Sequence, residues 1–154
     1  AGDAGATSLA EAINKAPLLQ SLCVSSNRIG HAGGIALAAA LATNSTLDRL
    51  RLGYVQATAA VGEVGNCLMD EGAAAIATAL HRNTQLKSLD LNHNNISQGG
   101  LLALSQAMEI NTSLTSLSLT QYGQNNHSAA RVAIDAALAK NKTRYPDQAA
   151  LTKV

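Results

Sequence analysis

Five residues of types that often carry binding energy lie at matching places in two similar stretches. Arg49, Arg51 and Tyr54 occur in RLRLGY, and Asp90 and His93 occur in DLNHNN. Arg and Tyr are enriched at protein-binding hot spots. We therefore predict that these five residues form the centre of a site that binds a partner protein. The alternative is that Arg51 and Asp90 form only a solvated ion pair, which would contribute roughly 0.2–1 kcal/mol.

No set of residues typical of a catalytic or metal centre accompanies them. The four His are scattered, neither HExxH nor CxxC occurs, and no Ser, His and Asp converge. Gly30, Gly33 and Gly34 precede a predicted helix, but the Lys of a GxxxxGK phosphate loop is missing, so we interpret them as turn residues. We expect no catalytic residues, no metal site and no cofactor.

An internal repeat must position the five residues. LLQSLCVSSNRI, TLDRLRL, QLKSLDLNHNNI and SLTSLSL share an LxxLxL frame, and Leu19 to Leu47 spans 28 residues, as does Leu86 to Leu114. A fixed period near this length predicts a stacked solenoid, in which each unit buries its apolar face against its neighbours.

Each unit predicts one strand and one helix. Leu50 and Leu52 alternate with polar residues as in a half-buried strand, and a GxxxLxxxLxxN pattern such as Gly72 to Asn83 places apolar residues on one helical face. Strands that return in one direction after a helix pair in parallel through right-handed crossovers. We predict an α/β, right-handed horseshoe solenoid with a parallel sheet on the concave side, helices on the convex side, and Arg51 beside Asp90.

Asparagines follow three of the strands. Asn27, Asn66 and Asn94 complete the pattern LxxLxLxxNxL, where an amide side chain can satisfy backbone groups as the chain leaves the sheet. These motifs resemble the leucine-rich-repeat family over about residues 5 to 144, and the repeat length resembles its ribonuclease-inhibitor-like class. The resemblance implies a cytosolic scaffold that binds proteins.

The frame divides residues 1–154 as a single domain. Residues 1–18 form the helix of a partial repeat, and 19–46, 47–85, 86–113 and 114–143 form repeats. Residues 144–154 leave the frame as a C-terminal cap or tail. An insertion at 53–65 lengthens the second repeat, and it is either part of the binding surface or a tolerated loop.

The chain begins in mid-repeat, without a strand before its first helix. We expect this end to carry an apolar flank and an unpaired sheet edge, as in a fragment of a longer protein, and self-association through that edge is a further possibility.

The composition limits the classes of partner and the cellular compartment that the sequence allows. A net charge of +1 with 14% charged residues argues against nucleic acid, and no apolar run reaches the roughly 18 residues of a membrane span. Cys23 and Cys67 lie at outward positions of different repeats, which argues against a disulfide framework. Three of the five Asn-x-Ser/Thr triplets, at Asn44, Asn111 and Asn141, coincide with the repeat's own Asn. We therefore predict a cytoplasmic protein.

Three functions remain open from the sequence. The first is a protein-interaction module that uses the concave face and the insertion. The second is a GTPase-activating protein, since the repeats also resemble the Ran GTPase activators, although no residue here matches their functional positions. The third is a structural or cytoskeletal capping subunit that uses the open N-terminal edge.

Overall fold

The computed structural model of the chain describes residues 2–54, 64–120 and 128–144. Within these ranges helices alternate with three-residue strands. In chain order they are α1 (Gly2–Ile13), β1 (Ser21–Cys23), α2 (His31–Leu41), β2 (Arg49–Arg51), α3 (Met69–Leu80), β3 (Ser88–Asp90), α4 (Gln98–Ile110), β4 (Ser116–Ser118) and α5 (Ala129–Arg144).

The strands form one parallel sheet in the order β1-β2-β3-β4, as the repeat predicts. The register follows the repeat frame, so the central leucines of successive strands are Cα partners. Leu50, Leu89 and Leu117 are buried in the core, whereas Leu22 on the outermost strand is only half-buried. The residues on either side of each leucine therefore point away from the core.

Helices that follow one another in the chain pack side by side, from α1 against α2 to α4 against α5. Small residues line the seams, and buried alanines such as Ala6, Ala73 and Ala107 occupy them. A Cβ at Gly33 would lie 2.7 Å from Ile29 Cγ2 and 2.9 Å from Ala6 Cβ. The interpretation of Gly33 and Gly34 as turn residues is wrong, because both are buried inside α2, where the neighbouring elements leave no room for a side chain.

Buried asparagines after the helices bind backbone groups of two repeats at once. Asn83 donates to the Leu41 and Asn44 carbonyls at 2.7 and 2.9 Å, and its Oδ1 accepts from the Gln85 and Leu86 amides. Asn111 repeats this pattern on the next unit. These amides satisfy backbone groups that would otherwise be buried without partners.

The asparagines after the strands have the same kind of role, as predicted. Asn66 is 4% exposed, accepts from the Asn27 and Ile29 amides, and donates to the Val24 and Leu52 carbonyls. Asn94 is fully buried and also donates to Leu52 O. The two asparagines thus tie the ends of neighbouring strands together.

The last described repeat departs from the others at Asn141. Its amide still donates to the Asn111 and Leu114 carbonyls, but α5 continues past it to Arg144, whereas α2 and α3 end before their asparagines. The predicted 144–154 cap or tail lies outside the described residues except for Arg144, which ends α5. Residues 55–63, which are most of the predicted 53–65 insertion, and residues 121–127 of the fourth repeat also lie outside them.

The N-terminal helix contributes only in part to the apolar flank expected from the sequence, since its Leu9 is half-buried, as is Leu22 of β1. Its exposed residues are small or polar, because α1 turns its larger apolar residues toward α2; the exposed residues are Ala4, Thr7, Ser8, Glu11 and Ala12. The exposed apolar side chain near this end is Leu18, at 91%. Among the residues that the structure describes, no helix has the length and hydropathy needed to cross a lipid bilayer.

Candidate functional site

The sheet carries most of the predicted site residues on the side away from the core. Arg49 is the Cα partner of Ser21 and Ser88, and Arg51 is the Cα partner of Cys23 and Asp90. The predicted neighbourhood of Arg51 and Asp90 is confirmed. We call this side the outward sheet face and define it by Ser21, Cys23, Arg49, Arg51, Ser88, Asp90, Ser116 and Ser118.

Arg51 and Asp90 do not form the ion pair that the sequence allowed. Over the described ranges, the pair within salt-bridge distance is Arg131 with Asp135, both on α5. Asp90 Oδ1 instead accepts from the Asn92 amide at 3.0 Å, and a Cβ on Gly53 would lie 2.5 Å from that oxygen. The Asn92 amide, two residues away, thus orients the Asp90 carboxylate, and the exposed Arg51 forms no ion pair with it.

Tyr54 and His93 meet just beyond the strands. Their ring centroids are 6.2 Å apart and the rings are perpendicular, which is the favoured edge-to-face arrangement. The Tyr54 ring also covers Gly65, where a Cβ would lie 3.2 Å from Tyr54 Cδ2. His93 has a φ of +56°, as does Ser26 at the same position of the first repeat. The first and third repeats therefore share this left-handed conformation, which helps to place the His93 ring.

Small side chains surround the two arginines. Serines occupy three positions in the column of Arg49 and one in the column of Arg51. Such side chains rise little above the sheet, so a partner can approach the strands closely around Arg49 and Arg51.

The described residues contain no cluster of metal ligands. No group of three or more His, Cys, Asp and Glu within 2–54, 64–120 and 128–144 is arranged to hold a metal ion. Cys23 and Cys67 are free thiols, the first exposed and the second half-buried. What the outward sheet face can do chemically is pair charges, donate hydrogen bonds and contact apolar groups.

One carboxyl with a perturbed pKa lies elsewhere, at the start of α3. Burial raises the pKa of Asp70, but hydrogen bonds from the Ser97 hydroxyl, the Ser97 amide and the Gly100 amide outweigh it, so the pKa lies below its ordinary value of 3.8. The Ser97 amide donates to Oδ1 at 2.6 Å. Asp70 thus caps the N-terminus of α4 from the neighbouring helix, where a negative charge is stabilised.

Asp3 on α1 makes the same kind of contact two repeats earlier in the chain. Its Oδ1 accepts from the Gly30 and Gly33 amides at 2.6 and 3.0 Å, at the start of α2. The residues before the two aspartates, Gly2 and Met69, both have positive φ, +62° and +57°. The sequence analysis missed these caps, although DAG and DEG stand at the same place in their repeats and carry the signal.

Two segments of the sequence match a known family model. A family model for the leucine-rich repeat matches residues 15–38 and 82–105, which contain the first and third strands. Two segments of this chain are therefore similar to leucine-rich repeats. Among curated proteins, none matches the sequence.

Two solved structures superpose on most of this chain. The Actin-Binding Site 2 (ABS2) structure of leiomodin-1 superposes with a TM-score of 0.78 at 18% identity, covering 97% of this chain and 79% of that chain. The tropomodulin C-terminal domain from Caenorhabditis elegans superposes with a TM-score of 0.53 at 13% identity, covering 96% and 99%. At these identities the likeness concerns the fold.

Proposed function

We propose that this leucine-rich-repeat chain is a protein-interaction module that binds its partner through the outward sheet face. The observation that carries the proposal is the register of β2 and β3, which brings Arg49, Arg51 and Asp90 together. Tyr54 and His93 add a ring pair at the ends of the same two strands. Arg51 is exposed on this face, so its side chain is accessible to a partner.

We infer that the outward sheet face lies on the concave side of a right-handed solenoid. Adjacent strands lie about 4.8 Å apart, whereas packed helices are separated by roughly 8–10 Å. Since each repeat contributes one strand and one helix, the sheet follows the shorter arc. Parallel strands joined through helices are almost always connected with a right-handed crossover. Such a surface would enclose a partner and bring more of it into contact than a flat face.

A pull-down with mass spectrometry tests the module. The chain and an Arg49→Glu, Arg51→Glu, Asp90→Lys variant serve as baits after circular dichroism and thermal melts establish equal folding. We expect a protein that binds the first bait and is lost from the second. The same set of proteins on both baits would refute the outward sheet face as the binding site.

The matched control makes the same kinds of charge change on α5. Arg131→Glu, Lys140→Glu and Asp135→Lys alter the net charge equally, and reversing both members of the Arg131 and Asp135 pair lets them still attract each other. This variant should capture the partner as well as the unmodified chain does. Equal loss from both variants would mean that net charge, rather than the outward sheet face, controls capture.

A cytoskeletal role is the second candidate, and its specific support is the likeness to the leiomodin-1 Actin-Binding Site 2 structure. Under this candidate the partner is actin. Co-sedimentation with actin filaments and native mass analysis with monomeric actin would test both states of actin. Pelleting no greater than without filaments, together with no complex with the monomer, would exclude this candidate.

We further propose that the chain works as one domain in the cytoplasm. Free Cys23 and Cys67 suit a reducing compartment. Asn44, Asn111 and Asn141, which begin three of the glycosylation triplets, are buried and hydrogen-bonded, so a glycan on any of them would prevent the fold from forming. Fractionation of source cells followed by immunoblotting tests the compartment.

A further inference from the structure

We propose that the helix layer carries a second binding surface, which takes a basic amphipathic α-helix of a partner protein. This inference goes beyond the proposed function, because the surface lies on α2 to α5 and not on the outward sheet face. Three features support it: a row of exposed aliphatic side chains, the acidic character of α2 to α4, and an exposed carboxylate that forms no ion pair.

One position of the repeat places aliphatic side chains on the exposed side of the helices. It precedes by two residues the buried residue on which each helix packs into the core. We call this set the aliphatic row and define it by Ile35, Ala74, Leu102 and Val132. Its three larger members, on α2, α4 and α5, are 45%, 52% and 60% exposed. Since α2 to α5 pack side by side, the row is continuous across neighbouring helices, and continuous apolar surface marks binding sites more often than single exposed residues do.

The residues next to the aliphatic row are small or uncharged. One turn after the row, the helices expose Ala39, Thr78, Gln106 and Ala136. Directly after each member of the row stands an alanine: Ala36, Ala75, Ala103 and Ala133. A partner that covers these positions must present apolar side chains to them, because a charge buried without a counter-ion is costly.

The charges of α2 to α4 are all negative. Helix α2 has no Asp, Glu, Lys or Arg, and the charged residues of α3 and α4 are Asp70, Glu71 and Glu109. Glu71 is exposed three residues before Ala74, and among the described residues no cation lies within ion-pair distance of its carboxylate. The next Lys or Arg in the chain, Arg82, lies beyond the other end of α3. A Lys or Arg beside the partner's apolar stripe can therefore pair with Glu71.

An α-helix is the form of partner that fits a layer of helices. The backbone of each helix is bonded internally, so the layer has no strand edge to which an extended peptide could add, whereas a partner helix satisfies its own backbone. Residues seven apart in a helix are separated by about 10.5 Å, close to the roughly 8–10 Å between packed helices. A helix lying across the layer can therefore place one apolar residue of a heptad stripe at each helix of the aliphatic row, including a larger one above Ala74.

The acidic character of α2 to α4 argues against two other occupants. Anionic lipid surfaces attract apolar faces that are bordered by Lys and Arg, not by Glu71. A second copy with its helix layer against this one would bring like charges together. The basic residues of α5 do not alter this balance at the row, because Arg131 pairs with Asp135 and the others lie two or more turns beyond Val132.

A displayed library of helices three heptads long tests the proposal. Its first form varies positions i, i+7 and i+14 among Leu, Gln and Lys, and the neighbouring positions among Lys, Gln and Glu. Its second form offers the same choices at i, i+5 and i+10, which lie on different sides of a helix. We expect selection on the 154-residue chain to enrich Leu with neighbouring Lys in the first form alone. Enrichment of neighbouring Glu, equal enrichment of Leu in both forms, or a selection without binders would overturn the proposal.

Variants of the chain then locate the binding. An Ile35→Lys, Leu102→Lys variant should bind the selected helices about tenfold or more weakly, because it places charges in the apolar contact. The control Leu18→Lys, Val64→Lys makes the same change at two exposed apolar residues outside the row and should bind them as the unmodified chain does. All four positions are exposed, so both variants should fold, which circular dichroism checks. Equal losses from the two variants would overturn the row as the site.

The role of the carboxylate is tested in the same way. Glu71→Gln should weaken the binding of clones with neighbouring Lys roughly twofold to fivefold, as expected for an exposed ion pair. Glu11→Gln makes the same change at an exposed position of α1 and should leave the binding unchanged. Unchanged binding to Glu71→Gln would overturn the basic character of the partner.

Two further measurements test the other occupants. We expect the chain to remain monomeric in sedimentation at increasing concentration and not to bind vesicles of phosphatidylcholine and phosphatidylserine. Self-association, or vesicle binding, that Ile35→Lys, Leu102→Lys abolishes would overturn the partner helix and assign the row to a second copy or to a lipid surface.

The Arg49→Glu, Arg51→Glu, Asp90→Lys variant separates the failure of this inference from the failure of the proposed function. The selected helices should bind this variant as they bind the unmodified chain. Helices that lose binding to this variant and keep it to Ile35→Lys, Leu102→Lys would overturn the aliphatic row and leave the outward sheet face as a binding site.

Discussion

Removing the Asp70 carboxylate should weaken the junction between α3 and α4 by a predictable amount. Asp70→Ala leaves the Ser97 hydroxyl, the Ser97 amide and the Gly100 amide without their acceptor. Losing a capping side chain costs about 0.5–2 kcal/mol, and losing a negative charge at a helix N-terminus costs roughly 0.3–1 kcal/mol. Because water reaches the half-exposed Asp70 and can replace part of these contacts, we expect a loss of about 1–2 kcal/mol in the free energy of unfolding.

The dependence on pH identifies the charge as the cause. The pKa of Asp70 is lower in the folded chain than its ordinary value of 3.8, so the folded state favours the ionised carboxylate. Its contribution to stability is fully present above about pH 3.8 and is lost as the pH falls through the lower, folded-state pKa. The difference between the unmodified chain and Asp70→Ala should therefore be constant near neutral pH and should shrink below pH 3.8.

Urea denaturation followed by circular dichroism, repeated over this pH range, measures the effect. In a separate thermal melt near neutral pH, the midpoint temperature should fall by roughly 2–8 °C, because a chain of this size loses about 2–4 °C per kcal/mol. Glu71→Ala is the matched control, because Glu71 is exposed in the same first turn of α3 and makes no hydrogen bond to Ser97. Equal losses from the two variants, or a loss from Asp70→Ala that does not change with pH, would refute the capping role.

Three further perturbations have outcomes that the structure predicts. Asn111→Ala leaves two carbonyls and two amides without their partner, so the free energy of unfolding in urea should fall by about 3 kcal/mol or more. The control Asn14→Ala, at an exposed asparagine, should lower it by about 0.5 kcal/mol. Similar losses from the two variants would contradict the structural role of the buried Asn111 hydrogen bonds. Gly53→Ala should cost about 1 kcal/mol by displacing the Asp90 carboxylate, and a double-mutant cycle should show that the cost disappears when Asp90 is already Ala. Asp135→Ala should change the free energy of unfolding by less than about 0.5 kcal/mol, because its ion pair with Arg131 is exposed. A larger loss would mean that this ion pair on α5 has a structural role.

Much of the fold and part of the site could be predicted from the repeat. Each repeat contributes one strand to the sheet, so the positions of Arg51 and Asp90 within their repeats determine that they are register partners. The same logic identified the structural role of Asn66 and Asn94. The conformation of Asp90 could not be predicted in this way, because it depends on competition between Arg51 and the nearer Asn92 amide.

The period and the apolar pattern of the sequence by themselves determined the alternation of strand and helix, the parallel pairing and the neighbours on the sheet. A repeat determines these features because each unit buries its apolar face only against the next unit. Tertiary structure decided which polar groups meet between helices, and the repeated DAG and DEG are the only sign of these contacts that we find in the sequence. Asp3 and Asp70 reach the next helix only because α1 and α3 pack against it and because Gly2 and Met69 adopt a left-handed backbone. Such contacts depend on side-chain directions across two repeats, which the spacing of residues within one repeat does not specify.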